Sequence, residues 1–330
     1  MPGNVPGLGK VLVTGAAGYV GGRLVDALAR GGGQPHALVR EPTDWLAFPQ
    51  TVCDLCTVDA RALSRACEAA ETVVHLAGEN ELLAASDPAA ALGSTVVASE
   101  RLAEACKTAG VQRLVYLSTV HVYGARIEPG VTLTETMRPE PRSAYAISRL
   151  ASEHVASSLA ASAFELVILR LTNSVGAPAA AAVDRWSLVA NDLARQGALH
   201  GRLELRSAGV QWRDFVSLRD VCATILAACR HGDTAQLPPG TYNLGSGKPS
   251  TVLALAGLIQ DAFEERTGAR PKLRSPPPPR DRPEPYFVSV GRLAGHGTGP
   301  SSALAEAVAE TVEFCLEHRR ELQRGGSLAD

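Results

Sequence analysis

The chain has 330 residues, a formal net charge of −2, 45% hydrophobic and 5% aromatic residues. That is enough apolar chain for a large α/β unit or two lobes, and the near-neutral charge with few aromatics argues against nucleic acid or an anionic membrane as a partner. No run approaches the roughly 20 apolar residues of a membrane-spanning helix, MPGNVPGLGK lacks a signal peptide's apolar region, and seven cysteines, an odd number, fit reduced thiols in a cytoplasmic protein.

Residues 1–9 read as a loose lead-in. Lys10 to Thr14 is short, apolar and rich in β-branched residues, which predicts a strand. Gly15-Ala16-Ala17-Gly18-Tyr19-Val20-Gly21 follows, and Tyr19 to Ala29 predicts a helix. In that setting Gly15 supplies a tight turn, Gly18 lets a pyrophosphate approach the backbone, and Gly21 lets helix and strand pack closely. The helix start then offers N–H groups and a positive dipole to phosphates. Strand, turn and helix together predict a dinucleotide site, with Ala17, Tyr19 and Val20 beside the glycines.

His36 to Val39 predicts a second strand, ending at Arg40. Sites that prefer NAD usually carry an acid there. Arg40 can pair with a 2′-phosphate, which leans towards NADP; it can equally stack on adenine or lie in solvent. Asp54, after the next strand, reads either as an acceptor for an adenine amine or as a turn aspartate. Cys53 and Cys56 form a C-x-x-C, but no second pair or nearby histidine pair completes a site, so we expect two unrelated thiols and no metal.

Strands are predicted over Thr72 to Leu76, Arg113 to Ser118 and Leu166 to Leu171, with helices over Ser94 to Ala109 and Ser143 to Ala161. Short apolar strands without polar alternation predict a parallel sheet covered on both faces, the doubly wound α/β pattern. After Leu171 the rhythm becomes irregular, helices are expected to be fewer, and Pro276 to Pro279 read as an extended connector rather than an SH3-type ligand. The expected organisation is a Rossmann dinucleotide-binding domain over 1–171. A smaller α/β, mainly substrate-binding lobe is expected over 172–330, with segments returning to the sheet and a frayed tail from Arg324.

Tyr145 and Arg149 stand four residues apart on one helix face. A cation beside a phenol stabilises phenolate, so such a tyrosine can exchange a proton with an alcohol while a nicotinamide exchanges hydride. Thr119 follows a strand's carboxyl end, where open α/β sheets bind ligands, and its hydroxyl can meet the substrate oxygen.

With these residues in place, the chain resembles the extended short-chain dehydrogenase/reductase family, the nucleotide-sugar epimerase, dehydratase and reductase group. The resemblance rests on TGAAGYVG at 14–21, HLAG at 75–78, LSTVHVYG at 117–124, YAISR at 145–149, LRLTNSVG at 169–176, RDFVSLRDV at 213–221 and YNLGSG at 242–247. It implies that Thr119, Tyr145 and Arg149 stand for the family's Ser/Thr, Tyr and Lys, and that Leu55, Leu76, Ala77 and Gly78 line the cofactor. It also implies that Asn173 and Arg213 meet a sugar-nucleotide diphosphate, with Arg280 a looser match and Arg282 competing with it. His121 falls beside the substrate.

The departures carry information. Arg149 keeps the lysine's charge but cannot relay a proton as a neutral amine. The Asp-Glu pair of the dehydratases is replaced by Val120 and His121, which argues against loss of water. A helix asparagine is replaced by Thr95. Asp214 is expected to be a salt-bridge partner, Asp220 a helix N-cap, and Trp186 and Trp212 packed side chains.

The leading expectation is epimerisation of a nucleotide-linked sugar at C4 through a transient 4-keto intermediate, using NAD or NADP. The alternatives are an NADPH-dependent 4-keto nucleotide-sugar reductase, a dehydrogenase of a non-sugar alcohol, and a non-catalytic cofactor-binding protein. The resemblance also implies a homodimer through the helices at 94–109 and 143–161.

Overall fold

Val11, Leu12 and Val13 are at most 1% exposed, and this fully apolar run builds the centre of a parallel sheet rather than an edge. The computed structural model describes residues 8–161, 163–232, 235–281 and 283–324. Of the expected lead-in and tail, residues 1–7 and 325–330 lie outside the described residues, as does Arg282. Leu8, read from sequence as lead-in, is 3% exposed and belongs to the core.

The first half contains β1 (Lys10–Thr14), α1 (Tyr19–Arg30), β2 (Gln34–Val39), β3 (Gln50–Val52), α2 (Ala60–Cys67), β4 (Thr72–His75), α3 (Glu81–Ser86) and α4 (Pro88–Ala109). It continues with β5 (Arg113–Thr119), a 3-10 segment (Val120–Arg126), β6 (Thr132–Leu133), α5 (Ala144–Ala160) and β7 (Glu165–Leu171). Then come β8 (Asn173–Val175), α6 (Val189–His200), β9 (Arg202–Glu204), β10 (Trp212–Ser217), α7 (Leu218–Cys229), β11 (Gly240–Leu244), β12 (Pro249–Thr251) and α8 (Val252–Thr267). The chain ends in β13 (Lys272–Arg274), β14 (Phe287–Val288), α9 (Gly291–Gly295), α10 (Leu304–Glu317) and α11 (Arg319–Arg324).

Seven strands form one sheet in the order β11-β7-β5-β4-β1-β2-β3, parallel at every pairing. This is the doubly wound Rossmann fold, with its topological switch between β1 and β4. One face carries a core of Leu24, Val25 and Leu28 from α1 with Val221 and Ile225 from α7. The other carries Leu63 of α2, Leu102 and Cys106 of α4 and Ala156 of α5. A separate core joins α6, α8 and α10 through Leu193, Ile259 and Val312.

The expectation of few helices after Leu171 fails: α6, α7, α8 and α10 have 12, 12, 16 and 14 residues. Alanines dilute their apolar stripes, so the helical period is weak in the sequence. Asp220 is not the cap of α7. Ser217 caps it by accepting from Asp220 N at 2.9 Å, and the Asp220 carboxylate accepts from the backbone of Ser301 and Ser302. Asp214 makes no ion pair among the described residues; it accepts from Thr172 Oγ1, Ser246 N and Gly247 N. Burial still pushes its pKa above the ordinary aspartate value, against those hydrogen bonds.

Candidate active site

The carboxyl ends of β1, β4, β5 and β7 open on a cavity of about 400 Å3. It gathers Gly15, Ala17, Gly18, Tyr19, Val20 and Gly21 from the glycine turn, Arg40 from the end of β2, and Leu76 and Gly78 from the loop after β4. Thr119 and His121 enter after β5, Tyr145 and Arg149 from α5, and Asn173 from β8. These residues are up to 158 positions apart in sequence (Gly15 to Asn173) and meet because a doubly wound sheet places its strand ends on one side.

The glycine turn is an open cradle. Gly18 N donates to Gly15 O at 2.9 Å, and Gly18 precedes α1 as its N-cap with no side chain to cap it, leaving the first N–H groups of α1 to the cavity. A Cβ on Gly21 would lie 2.1 Å from Gly15 O and 2.7 Å from Ala16 Cα. Gly21→Ala is therefore expected to cost about 2–3 kcal/mol of stability by overpacking and to abolish measurable dinucleotide binding. Urea unfolding and a binding titration check this; a variant with wild-type affinity would refute the close-packing role.

Arg149 is 7% exposed, and its guanidinium lies 5.4 Å from the Tyr145 ring centroid. It donates from Nη1 to Ala77 O at 3.3 Å and from Nη2 to Glu79 O at 3.2 Å, bracing the loop after β4. Gly78 makes room: its φ is +142° and a Cβ there would lie 2.8 Å from Arg149 Nη1. Burial works against the Arg149 charge, but the phenol oxygens of Tyr116 and Tyr145 outweigh it and its pKa stays above the usual arginine value. Among the described residues, Arg149 Nε and the Tyr116 hydroxyl are buried without hydrogen-bond partners. Thr119 is 4% exposed and accepts from His121 N at 3.2 Å. The His121 ring stands 6.4 Å from that of Tyr145. Desolvation by neighbouring cleft atoms, and then the charge of Arg213, push the His121 pKa below the ordinary histidine value.

Beneath this layer, donors and acceptors can be assigned one by one. Ser99 Oγ donates to Thr95 O at 2.8 Å, so it accepts from His75 Nε2 at 3.0 Å. His75 Nδ1 then accepts from Thr14 Oγ1 at 2.7 Å, and Thr14 Oγ1 accepts from Ala77 N at 3.3 Å. Thr95, at the family's asparagine position, accepts from Glu79 N at 3.2 Å. His75 is thus a neutral hinge pin for the loop that Arg149 braces, and burial, then the Arg149 charge, push its pKa down to about 3.

Because the folded value lies below the unfolded one, the unfolded state gains protons first as pH falls. Stability is expected to be intact above about pH 6.5 and to drop below it by up to about 1.4 kcal/mol per pH unit, levelling near the folded value of about 3. Urea unfolding from neutral to acid pH should show this slope flattened in His75→Asn. An unchanged slope in the variant would sink the assignment.

Five residues expected at the site do not line the cavity. Asp54 accepts from Cys56 N at 2.8 Å, which makes it a turn aspartate. Leu55 is 6% exposed and packs in the core under α2 and α4. Ala77 contributes its backbone to Thr14 and Arg149. Arg213 donates to Trp212 O at 2.8 Å, and its charge reaches His121. Arg280 is exposed beyond the proline run. Conversely, Glu79, Asn80, Glu81 and Arg185 line the cavity without being read from sequence. The first three follow HLAG directly, a signal that was available; Arg185 lies in no motif.

The seven cysteines are free, and no group of three or more metal-binding side chains occurs among the described residues. No helix among them is long and apolar enough to cross a membrane.

A Rossmann sheet whose strand ends join a glycine turn to a Thr-Tyr-Arg set defines an oxidoreductase-type enzyme of the short-chain dehydrogenase kind. The sequence profile of the NAD dependent epimerase/dehydratase family matches residues 11–245, and the chain belongs to that family. GDP-6-deoxy-D-mannose reductase of Pseudomonas aeruginosa is 30% identical over 76% of this chain and 79% of its own length. UDP-glucose 4-epimerase of Mycolicibacterium smegmatis is 28% identical over 92% of this chain and 98% of its own. Among solved structures, MoeE5 in complex with UDP-glucose and NAD superposes with a TM-score of 0.77 at 27% identity, covering 95% of this chain and 99% of that one.

Proposed function

We propose that the enzyme epimerises a nucleotide-linked sugar at C4. The observation that carries this reading is the tie between the first residue of α1, beside the glycine turn, and the C-terminal lobe. The Tyr19 hydroxyl donates its proton to Gly176 O at 2.6 Å, with Asn191 Oδ1 a weaker, shared acceptor at 3.2 Å, while Val183 and Leu218 pack on its ring. A phosphate turn braced from the C-terminal lobe suits a dinucleotide kept through the whole cycle, as an epimerase requires. We assign residues 1–171 mainly to cofactor binding and 172–330 mainly to the sugar nucleotide. In keeping with the lines of the cavity, the sugar would lie between Tyr145, Thr119 and Asn173.

The cradle that a Cβ would fill at Gly21, and the uncapped start of α1, fit a dinucleotide pyrophosphate. Gly15, Gly18, Tyr19, Val20, Arg40 and Arg149 would hold it. When bound, NAD(P) supplies an acceptor for the hydride at C4 and its return. Tyr145 takes the proton of the 4-hydroxyl as the C–H bond breaks, and gives it back after the 4-keto sugar has turned over. Arg149 keeps a positive charge beside that phenol. Thr119 orients the hydroxyl. Val120 is 2% exposed in a small apolar core and offers no acid or base for loss of water.

Arg40 favours a second reading, a reductase that exchanges NADPH with solvent. Its side chain is 77% exposed, 3.8 Å from Glu79, and free to meet a 2′-phosphate. One experiment separates the two. The protein is denatured, any released nucleotide identified, and the intact enzyme incubated with UDP-glucose. Retained NAD(P)+ and formation of the C4 epimer are expected. An empty protein that consumes NADPH with a 4-keto nucleotide sugar and forms no epimer would replace the first reading by the second. In that case Arg40→Ala should cut the preference for NADPH over NADH about tenfold.

We further propose a homodimer through α4 and α5. Val97 and Ile147 on these neighbouring helices are 42% and 43% exposed, as an apolar interface would require.

A further inference from the structure

Arg185 stands on the loop between β8 and α6, yet its side chain lines the same cavity as Gly18, Tyr19 and Val20. The two ends of its guanidinium meet different surroundings. Nη2 lies 3.2 Å from Glu81 Oε2, on the helix after β4, and so bridges the cleft. Nη1 is buried and has no hydrogen-bond partner among the described residues. A buried cationic donor left unpaired is costly, so the guanidinium is incompletely paired against Glu81 and gains by turning to an anion in the cavity.

The loop that carries it is anchored independently of that side chain. Asn191 Nδ2 donates to Arg185 O at 3.1 Å, and Val183 packs on Tyr19 and Val20. The charge of Arg185 reaches the Tyr19 hydroxyl, so it acts close to the first turn of α1. Its partner Glu81 is 44% exposed, which makes the ion pair weak and replaceable.

We propose that Arg185 is a diphosphate-binding residue of this cavity, held by Glu81 while the cleft is empty and turning its guanidinium onto phosphate oxygens when ligand enters. The inference rests on reading the cavity as the site of a dinucleotide and a nucleotide sugar. A guanidinium fork matches two phosphate oxygens and carries a charge that does not titrate away. Both ligands contain a diphosphate, and the test tells them apart.

Wild type, Arg185→Gln and Arg185→Lys are titrated separately with NADP+, with UDP, and with adenosine as a phosphate-free control. Arg185→Gln should bind NADP+ or UDP about tenfold more weakly, the loss of one charge-assisted bond, with adenosine unchanged and Arg185→Lys in between. The weakened ligand names the diphosphate that Arg185 holds; a loss on both means that it spans the two. Wild-type affinity of Arg185→Gln for both phosphate ligands overturns the proposal alone, as does an equal loss for adenosine, which signals a distorted cleft. Failure of the wild type to bind NADP+ and UDP overturns the reading of the cavity and this inference with it.

Discussion

Tyr145→Phe is expected to lower kcat by about 10²- to 10⁴-fold, the range of a lost general acid–base group, while dinucleotide affinity stays near wild type. The phenol oxygen is the only part removed, and the ring still packs beside Arg149 and His121. Thr119→Val should fall short of that loss, because in the proposed mechanism Thr119 only orients the hydroxyl that Tyr145 deprotonates. The neighbouring His121 does not stand in as a base: its pKa is lowered by desolvation in the cleft and by Arg213, and a weaker base removes an alcohol proton less readily. Steady-state kinetics with a UDP-sugar, alongside cofactor titration, measure both halves of the prediction. Equal turnover in Tyr145→Phe and wild type would point to contaminating activity and favour a non-catalytic cofactor-binding protein.

Arg149 sharpens the meaning of that experiment. In a lysine version of this site the amine nitrogen is one point of charge on a flexible stem. The guanidinium here is fixed by Ala77 O and Glu79 O, with Gly78 cleared to receive it. In the proposed mechanism the cation stands beside Tyr145 as a fixed charge, and proton traffic would run from the phenol through substrate and solvent rather than through Arg149.

What was legible in the sequence follows from how local each signal is. The glycine turn, the YAISR segment and the strand ends are short motifs with a fixed geometry, and the structure brings them to one cavity. The fold class came from apolar runs such as Val11 to Val13, whose burial needs no long-range knowledge. Asp214 and Asp220 were misread because their partners, the backbone N–H groups of Ser246, Gly247, Ser301 and Ser302, lie far along the chain. Arg185 is illegible for the same reason: its partner Glu81 is 104 residues away and the two meet only across the cleft. The helices of the C-terminal half were underread because small residues such as Ala190, Ala194 and Ala198 form the buried stripe of α6.

The same helix face that carries Tyr145 and Arg149 carries Glu153 one turn further on, and there we expect the largest effect on stability. Glu153 and Arg170 are 5% and 7% exposed, joined by Arg170 Nη2 to Glu153 Oε2 at 2.6 Å and Nε to Oε1 at 3.1 Å. Ser118 Oγ donates to the same carboxylate, so this one side chain ties α5 to β5 and β7 directly behind Thr119. Glu153→Ala leaves the Arg170 charge buried against the Tyr123 ring with no counter-ion, at an expected cost of about 3–5 kcal/mol. Glu153→Gln keeps an acceptor for Ser118 and should cost less. The paired change Glu153→Met with Arg170→Met removes both charges together and should recover much of the loss, because each charge's desolvation penalty disappears with its partner. Urea unfolding of the singles and the pair gives the coupling energy as a double-mutant cycle. A Glu153→Ala variant within about 1 kcal/mol of wild type, the size of a surface pair, would show that water reaches the pair. The tie between α5 and the sheet would then have to come from apolar packing, such as that of Ala156 in the core beneath it.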